Sequence, residues 1–305
     1  LAMPTQSTLH RQLQSAQELQ SIVRTMKALA AGNIHQYESA VRSLATFNYT
    51  LEQGLQIFLQ HYPETLQPMP SLPTGRLGIV VFGSDQGMCG RFNEQIADYV
   101  IRHLSRHTGH SLLSDKEQYE EKPLLVVGDR LANQLIQAGF PPSRQLAVSS
   151  ALGKVSQLEQ TIVLQLEDWR HTQQVERIWV FHNSPHKGLS APKLRQIFPL
   201  DRVFLRQLAA RPWPSRCRPI VFHQKAPLFS SLFQQFFFAR LYRACVDSLA
   251  SENAHRLASM QMAEKNIYER LESLHLLYQQ QRQTAITSEL LDIMSGFEVL
   301  KNHKN

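Results

Sequence analysis

The sequence predicts an α/β domain of Rossmann-like type inserted between two long helices that pair as an antiparallel coiled coil. Three observations support this fold class. Residues 5–62 contain no proline, and residues 228–295 contain neither proline nor glycine, so both segments lack the main helix breakers. Short apolar runs rich in β-branched residues occur only between these segments, where they alternate with helical patterns.

The first element is a helix from Thr5 to Tyr62, interrupted only by Gly32 and Gly54. Its apolar seam advances in steps of three or four with a mean close to 3.5, the repeat of a left-handed coiled coil. The seam residues are Leu9, Leu13, Ala16, Leu19, Val23, Met26, Ala30, Ile34, Tyr37, Val41, Leu44, Phe47, Leu51, Leu55 and Phe58. An amphipathic helix on a globular core is the alternative, but such helices rarely keep this repeat for so long.

The middle of the chain begins after a proline-rich linker that ends the first helix. Its prolines are Pro63, Pro68, Pro70 and Pro73. The apolar runs predict buried strands at Leu77–Gly83, Leu124–Gly128 and Arg177–Phe181, and edge strands at Val203–Leu205 and Ile220–Phe222. Helices are predicted at Arg91–Leu104, Asp129–Ala138 and Val155–Trp169. Alternating strands and helices favour a mainly parallel sheet.

The last element is a helix from Leu228 to Ser295, bounded by Pro227 and Gly296. Its length would be roughly 100 Å. Its apolar stripe is interrupted at Glu264 and consists of Leu257, Met260, Ile267, Leu271, Leu274 and Tyr278. The predicted domains are therefore 1–62, a coiled-coil helix; 63–75, a linker; 76–225, the Rossmann-like domain; and 226–305, the second coiled-coil helix.

The composition limits the classes of function. Hydrophobic residues make up 43% of the chain, enough for a core, and the net charge of +7 suggests an anionic partner. The three scattered cysteines, Cys89, Cys217 and Cys245, are typical of a reduced compartment rather than a disulfide framework or a zinc site. The first ten residues, LAMPTQSTLH, do not resemble a signal peptide, and no apolar run is long enough to span a bilayer.

The glycine-rich stretch from Gly83 to Gly90 is the strongest candidate for a phosphate loop. Its spacing matches neither GxGxxG nor GxxxxGK[ST]. We therefore expect a tight turn in which Ser84 or Asp85 accepts hydrogen bonds from local backbone N–H groups. The histidine groups, His182 with His186 and His103 with His107 and His110, lack neighbouring carboxylates or cysteines, so ordinary solvated or hydrogen-bonded histidines are favoured over metal ligands.

No set of nucleophile, base and orienting group can be assembled from the sequence. We expect no catalytic residue, no cofactor and no metal in this chain, which favours a mechanical or assembly role.

Several motifs resemble the gamma subunit of F-type ATP synthases, the central rotor shaft. Residues 22–31 (IVRTMKALAA) are similar to the family's N-terminal pattern ITKAMKMVAA, and residues 84–93 (SDQGMCGRFN) to SDRGLCGGFN. Three segments near the end, ASENAHR at 250–256, RQTAIT at 282–287 and ELLDIMSG at 289–296, are similar to ASEHAAR, RQASIT and ELTEIVSG. The matches occur in the family's order and cover both ends and the middle.

The resemblance implies a coiled-coil shaft inside a hexamer of three alpha and three beta subunits. It implies that the α/β domain is the foot, touching the epsilon subunit and the membrane ring of c subunits. The chain would then couple proton or sodium flow to ATP synthesis or hydrolysis without catalytic residues of its own. It would be a peripheral membrane protein on the cytoplasmic face of a bacterial or archaeal plasma membrane, reaching the membrane only through the c ring and binding no nucleic acid.

The same resemblance implies roles for individual residues. Contacts to beta are expected from Met26, Lys27, Arg282 and Gln283. A bearing tip is expected from Ile286, Leu290, Ile293, Met294 and Phe297. The conformational turn of the foot domain is expected at Ser84, Asp85, Gly87 and Gly90.

Two other classes of function remain open from the residues alone. One is a nucleotide-binding α/β enzyme, which the broken glycine patterns disfavour. The other is a basic coiled-coil protein that binds nucleic acid, which the mixed charge of both long helices disfavours.

Overall fold

The computed structural model describes residues 5–66, 76–107, 123–148, 152–186, 189–217, 219 and 224–302. The chain divides into two compact units. The first consists of Leu1–Leu29 with Leu257–Asn305, and the second of Ala30–Arg256. The helices are α1 (Gln6–His61), α2 (Phe92–His107), α3 (Asp129–Gln137), α4 (Leu152–Thr172), α5 (Arg202–Ala210) and α6 (Lys225–Asn302). The strands are β1 (Arg76–Phe82), β2 (Leu124–Val127), β3 (Arg144–Leu146), β4 (Val175–His186) and β5 (Leu189–Phe198).

The first unit is an antiparallel pair made from the beginning of α1 and the later part of α6. Leu9 and Leu13 are buried against Leu271 and Leu274, with Ala16, Ile267 and Tyr278 around them. Two links fix the opposite directions of the helices, because Gln6 contacts Tyr278 while Lys27 contacts Glu264. The predicted seam is thus confirmed here, although Leu19 is 54% exposed.

The second unit contains the rest of both long helices and the α/β domain. Seam residues Tyr37, Leu55 and Phe58 are each 1% exposed, whereas Phe47 is 43% exposed. All residues of α6 from 244 to 253 are buried, so this stretch of helix is covered on every side. A helix covered all round is held by packing rather than by one seam.

The sheet has five strands in the order β3-β2-β1-β4-β5. The pairs β1–β2, β1–β4 and β2–β3 are parallel, and β4–β5 is antiparallel. One face packs on α4, α1 and α6 through residues such as Val80, Val180 and Leu241. The opposite face packs on α2 and α3 through residues such as Val81 and Phe181. The mainly parallel α/β sheet is confirmed, with an antiparallel edge.

The three predicted buried strands and the three predicted middle helices are all present, with ends shifted by a few residues. The predicted edge strand at Val203–Leu205 is wrong, because these residues lie in α5. Asp201 caps that helix by accepting a hydrogen bond from the Val203 N–H at 2.9 Å, the usual way to satisfy a first-turn donor. The other predicted edge strand, Ile220–Phe222, lies outside the described residues.

Two strands and both ends of α6 differ from expectation. Strands β3 and β5 were not predicted, since neither has a continuous apolar run. Helix α6 begins before Pro227, at Lys225, which is possible because a proline in the first helical turn breaks no internal hydrogen bond. It also continues through Gly296 to Asn302, because one glycine costs a helix only about 1 kcal/mol.

Of the linker, Pro63 starts a short 3₁₀ turn, Pro63–Leu66, and the other three prolines lie outside the described residues.

Candidate functional site

The turn after β1 is held by a small buried hydrogen-bond network. The Ser84 N–H donates to Asn93 Oδ1 at 3.0 Å, and Asn93 Nδ2 donates back to Ser84 Oγ at 2.8 Å. Ser84 Oγ in turn donates to the Gln86 carbonyl at 2.9 Å. Ser84 is fully buried, and burial raises the pKa of the neighbouring Cys89 thiol. The network fixes the start of α2 against the end of β1.

Asp85 binds backbone N–H groups, but not the local ones that we expected. Its Oδ1 accepts from the Asp129 N–H at 3.0 Å, and its Oδ2 accepts from the Val148 N–H at 2.7 Å. The expectation of local bonds is therefore wrong for Asp85, because both donors belong to distant parts of the chain. The carboxylate occupies the N-terminal end of α3, where the helix dipole and free N–H groups favour an anion. The turn therefore has a structural role, because Asp85 joins it to distant parts of the chain.

Two glycines near this turn are required by the backbone. Gly90 has φ +54° and Gly128 has φ +115°, values in the region that favours glycine. A Cβ on Gly128 would lie 2.7 Å from the Ser84 nitrogen. Gly87 shows no such backbone requirement, and a Cβ there would meet the Arg130 guanidinium at 3.3 Å. Sequence reasoning included Gly87 and Gly90 but missed Gly128.

In the first unit, Met26 and Lys27 are half-buried and Lys27 is already paired. Lys27 Nζ lies 2.5 Å from Glu264 Oε2, and Arg24 Nε lies 3.2 Å from Glu264 Oε1. The hydrogen bond from Lys27 lowers the pKa of Glu264. The interruption of the apolar stripe at Glu264 therefore has a physical reason, because two cations of α1 face this carboxylate.

Arg282 and Gln283 are exposed on α6. Within the described chain, Arg282 forms no ion pair. Arg282 lies 18 positions after Glu264 in the same helix, which places it roughly 27 Å along α6 from the Lys27 contact. The structure thus does not bring the two predicted beta contacts together.

The predicted tip carries exposed apolar side chains. Ile286, Leu290, Ile293 and Met294 are 47%, 57%, 57% and 63% exposed, respectively. The side chain of Phe297 lies outside the described residues. A stripe of exposed apolar side chains on one helix is typical of an interaction surface.

Buried polar groups around α6 were not found by sequence reasoning. Glu252 and Arg256 form an ion pair at 2.6 Å, with side chains 7% and 11% exposed. His255 Nε2 lies 2.8 Å from Ser190 Oγ on β5. The Glu-x-x-x-Arg spacing within ASENAHR was a readable signal for the pair, since residues i and i+4 share a helix face. The contact between His255 and Ser190 attaches α6 to the sheet edge.

Among the described residues, the histidine groups show no arrangement for catalysis or metal binding; His110 and the side chain of His107 lie outside those residues. His182 is fully buried, and burial lowers its pKa to about 3. His103 stacks beside Tyr99 with 4.1 Å between ring centroids. Among the described residues, no group of three or more His, Cys, Asp or Glu side chains could hold a metal ion, and no helix could cross a membrane.

Known proteins of one family match this chain over nearly its whole length. A family model described as ATP synthase matches residues 5–300. An ATP synthase gamma chain from a Nostoc species is 26% identical over 329 residues, covering 98% of this chain and 100% of the relative. One from Bacteroides fragilis is 25% identical over 289 residues, covering 93% and 96%.

Solved structures share the fold. A chain from the Euglena gracilis mitochondrial ATP synthase aligns with a TM-score of 0.65 at 15% identity, covering 98% of this chain and 96% of that one. A chain from the central stalk and c-ring structure of the Tetrahymena thermophila mitochondrial ATP synthase aligns with a TM-score of 0.56 at 18% identity, covering 79% and 99%.

Proposed function

Because the chain belongs to the ATP synthase family as a divergent gamma chain, we propose that it works as the central rotor stalk of an F-type ATP synthase. The observation that carries this proposal is the family match across residues 5–300. The antiparallel helix pair of the first unit and the five-stranded sheet of the second unit are consistent with this function. In this role the chain is a non-catalytic subunit that couples ion flow to ATP synthesis or hydrolysis.

The partners follow from this role. The helix pair turns inside an alpha–beta hexamer, and the α/β domain touches the c ring and an epsilon subunit. The chain reaches the cytoplasmic face of the membrane only through the c ring. The division into helix, linker, α/β domain and helix at residues 62, 75 and 225 is part of the same proposal.

Two contacts to beta are proposed on the helix pair. At the first, Met26 and Lys27 meet an acidic loop, and Lys27 exchanges or shares Glu264 with the beta carboxylate. At the second, Arg282 and Gln283 are free to bind, because Arg282 is exposed and has no ion pair with any residue of the described chain. An arginine can form two parallel hydrogen bonds to one carboxylate, which a lysine cannot do.

The tip of α6 is proposed to be the bearing. Ile286, Leu290, Ile293 and Met294 offer an apolar surface without directional hydrogen bonds, which suits a shaft that must turn inside a ring of apolar side chains. The Ser84–Gly90 turn is proposed to be a conformational element of the foot, held by Asp85.

Reconstitution tests this function directly. The tagged chain is mixed with alpha and beta subunits from the same organism, and the purified assembly is assayed for ATP hydrolysis. We expect a stoichiometric complex that hydrolyses ATP, whereas the chain alone should not. A chain that never enters an alpha–beta assembly would contradict the rotor function.

The same preparation tests the two alternatives. Calorimetric titration of the chain alone with ATP should show no micromolar binding; such binding, abolished by Asp85→Ala, would favour a nucleotide-binding enzyme. Salt-sensitive co-purification of nucleic acid would favour the third class.

A further inference from the structure

The second unit carries a group of basic side chains on the edge strand β5 and on helix α6, here called the basic cluster. Cross-strand pairing sets Lys193 opposite His182, and Arg195 opposite Val180. Side chains directly opposite each other in a sheet project from the same face. Val180 packs with Leu241 of α6 in one core, so the face that carries Lys193 and Arg195 is the one that faces α6.

Helix α6 adds a cation and a carboxylate to the basic cluster. Arg243 and Asp247 lie one turn apart, with Arg243 Nε at 3.6 Å from Asp247 Oδ2. This distance is too long for a hydrogen bond, and Arg243 Nε is buried without a hydrogen-bond partner in the described chain. Asp247 is 4% exposed. Burial raises the pKa of its carboxyl group, and attraction to Arg243, Arg195 and Lys193 opposes that rise.

The basic cluster carries a net positive charge at neutral pH. Lys193, Arg195 and Arg243 contribute three cations, whereas Asp247 is the one carboxylate among the described residues that is found to act on Arg195. His182 adds no charge, because burial and the nearby cations keep it neutral. Burial, and then repulsion by Arg243, lowers the pKa of Arg195. Partly buried cations without full compensation destabilise the fold unless an anion joins them.

We propose that Lys193, Arg195 and Arg243 form a binding site for an oxyanion of the phosphate class. Planar guanidinium groups bind tetrahedral oxyanions through parallel N–H donors, and a lysine adds a third point of charge. Asp247 partly neutralises these three cations, so a bound oxyanion competes with its carboxylate. The site is open enough for a ligand to enter, since the side chain of Arg243 is 35% exposed and Lys193 is exposed.

This site is separate from the turn after β1, where Asp85 already supplies the anion at the end of α3. It binds through side chains and needs no glycine-rich loop. It also does not depend on the rotor function, because every group belongs to one compact unit of this chain.

Thermal unfolding of the full chain in inorganic phosphate tests the proposal, with potassium chloride at matched ionic strength as the reference. Phosphate should raise the melting temperature in a saturable way, because a ligand bound only to the folded state stabilises it by mass action. Arg195→Gln should abolish this response and also raise the melting temperature in phosphate-free buffer, since it removes a cation that burial disfavours. Arg102→Gln, an exposed arginine of α2, should leave the response unchanged.

Asp247→Asn supplies a second variant if Arg195→Gln fails to fold. It keeps all three cations and removes the carboxylate that competes with the ligand, so phosphate should bind severalfold more tightly. The proposal is overturned if chloride stabilises the chain as much as phosphate does. It is also overturned if Arg195→Gln responds to phosphate like the unchanged chain.

Discussion

Glu159 offers the sharpest test of the packing between α4 and α6. It is 1% exposed, and neither carboxylate oxygen has a hydrogen-bond partner among the described residues. Burial raises its pKa from 4.5 to about 9, against a weak opposing interaction with the Tyr242 main chain. At neutral pH the folded protein thus keeps Glu159 protonated, whereas the unfolded chain ionises it.

The sign of the pH effect follows from this difference in bound protons. Between pH 4.5 and about 9 the folded state holds one more proton than the unfolded state, so stability falls as pH rises. Each pH unit in this window costs about 1.4 kcal/mol. The cost is absent below pH 4.5, reaches about 3 kcal/mol at pH 7 and stops growing above about 9.

Glu159→Met replaces the carboxyl with an apolar side chain of similar length. We expect it to stabilise the chain by up to about 3 kcal/mol at pH 7, less any loss from imperfect packing. The gain should shrink by about 1.4 kcal/mol for each unit of lower pH. Urea unfolding across this pH range measures the free energy of unfolding of both proteins.

Glu167→Met is the matched control, because Glu167 is exposed on the same helix. Its stability should follow the unchanged chain at every pH. If the curve of Glu159→Met against pH also runs parallel to that of the unchanged chain, Glu159 is not a neutral buried acid and the reasoning fails.

Three further predictions concern the helix pair. Cysteines placed at Leu13 and Leu271, in a chain with Cys217→Ser, should be joined by a short thiol crosslinker within one chain, as measured by mass spectrometry; links only between chains would contradict the antiparallel pairing. Arg282→Lys should lower the ATP turnover of the assembled complex severalfold and leave assembly intact, because lysine loses the paired hydrogen bonds; unchanged turnover would remove Arg282 from the beta contacts. Deleting Phe297–Asn305 should weaken assembly modestly and keep ATP hydrolysis measurable; complete loss of hydrolysis in an assembled complex would show that the tip transmits torque.

The sequence predicted helices and strands correctly where the local apolar pattern was long and regular. The seam through Leu9 and Leu13 was visible because a heptad repeat needs no knowledge of its partner. The buried strands β1 and β2 were visible as unbroken runs of Leu, Ile and Val. Val203–Leu205 failed for the opposite reason, because three β-branched or large apolar residues fit a short strand and a helix equally well. Only the cap formed by Asp201 and the contacts of α5 distinguish a helix from a strand at these residues.

The candidate site was predicted less completely than the fold. Motif resemblance selected Lys27 and Asp85, but it could not show that Lys27 shares Glu264 with Arg24. It also could not show that Asp85 binds N–H groups 44 and 63 residues away. Pairings between such distant positions depend on the folded path of the chain, which no local pattern records.

The sequence by itself determined the two long helices, the inserted α/β domain and the resemblance to a rotor subunit, because helix periodicity, strand composition and motif order are properties of neighbouring residues. The tertiary structure alone decided which charges meet. Folding buries Glu159 with no hydrogen-bond partner for its carboxylate among the described residues, and it places Asp85 at the N-terminal end of α3. It also brings the charges of Lys193, Arg195, Arg243 and Asp247 close enough to interact. The strength of an electrostatic interaction depends on distance and burial, and both are set only when the chain has folded.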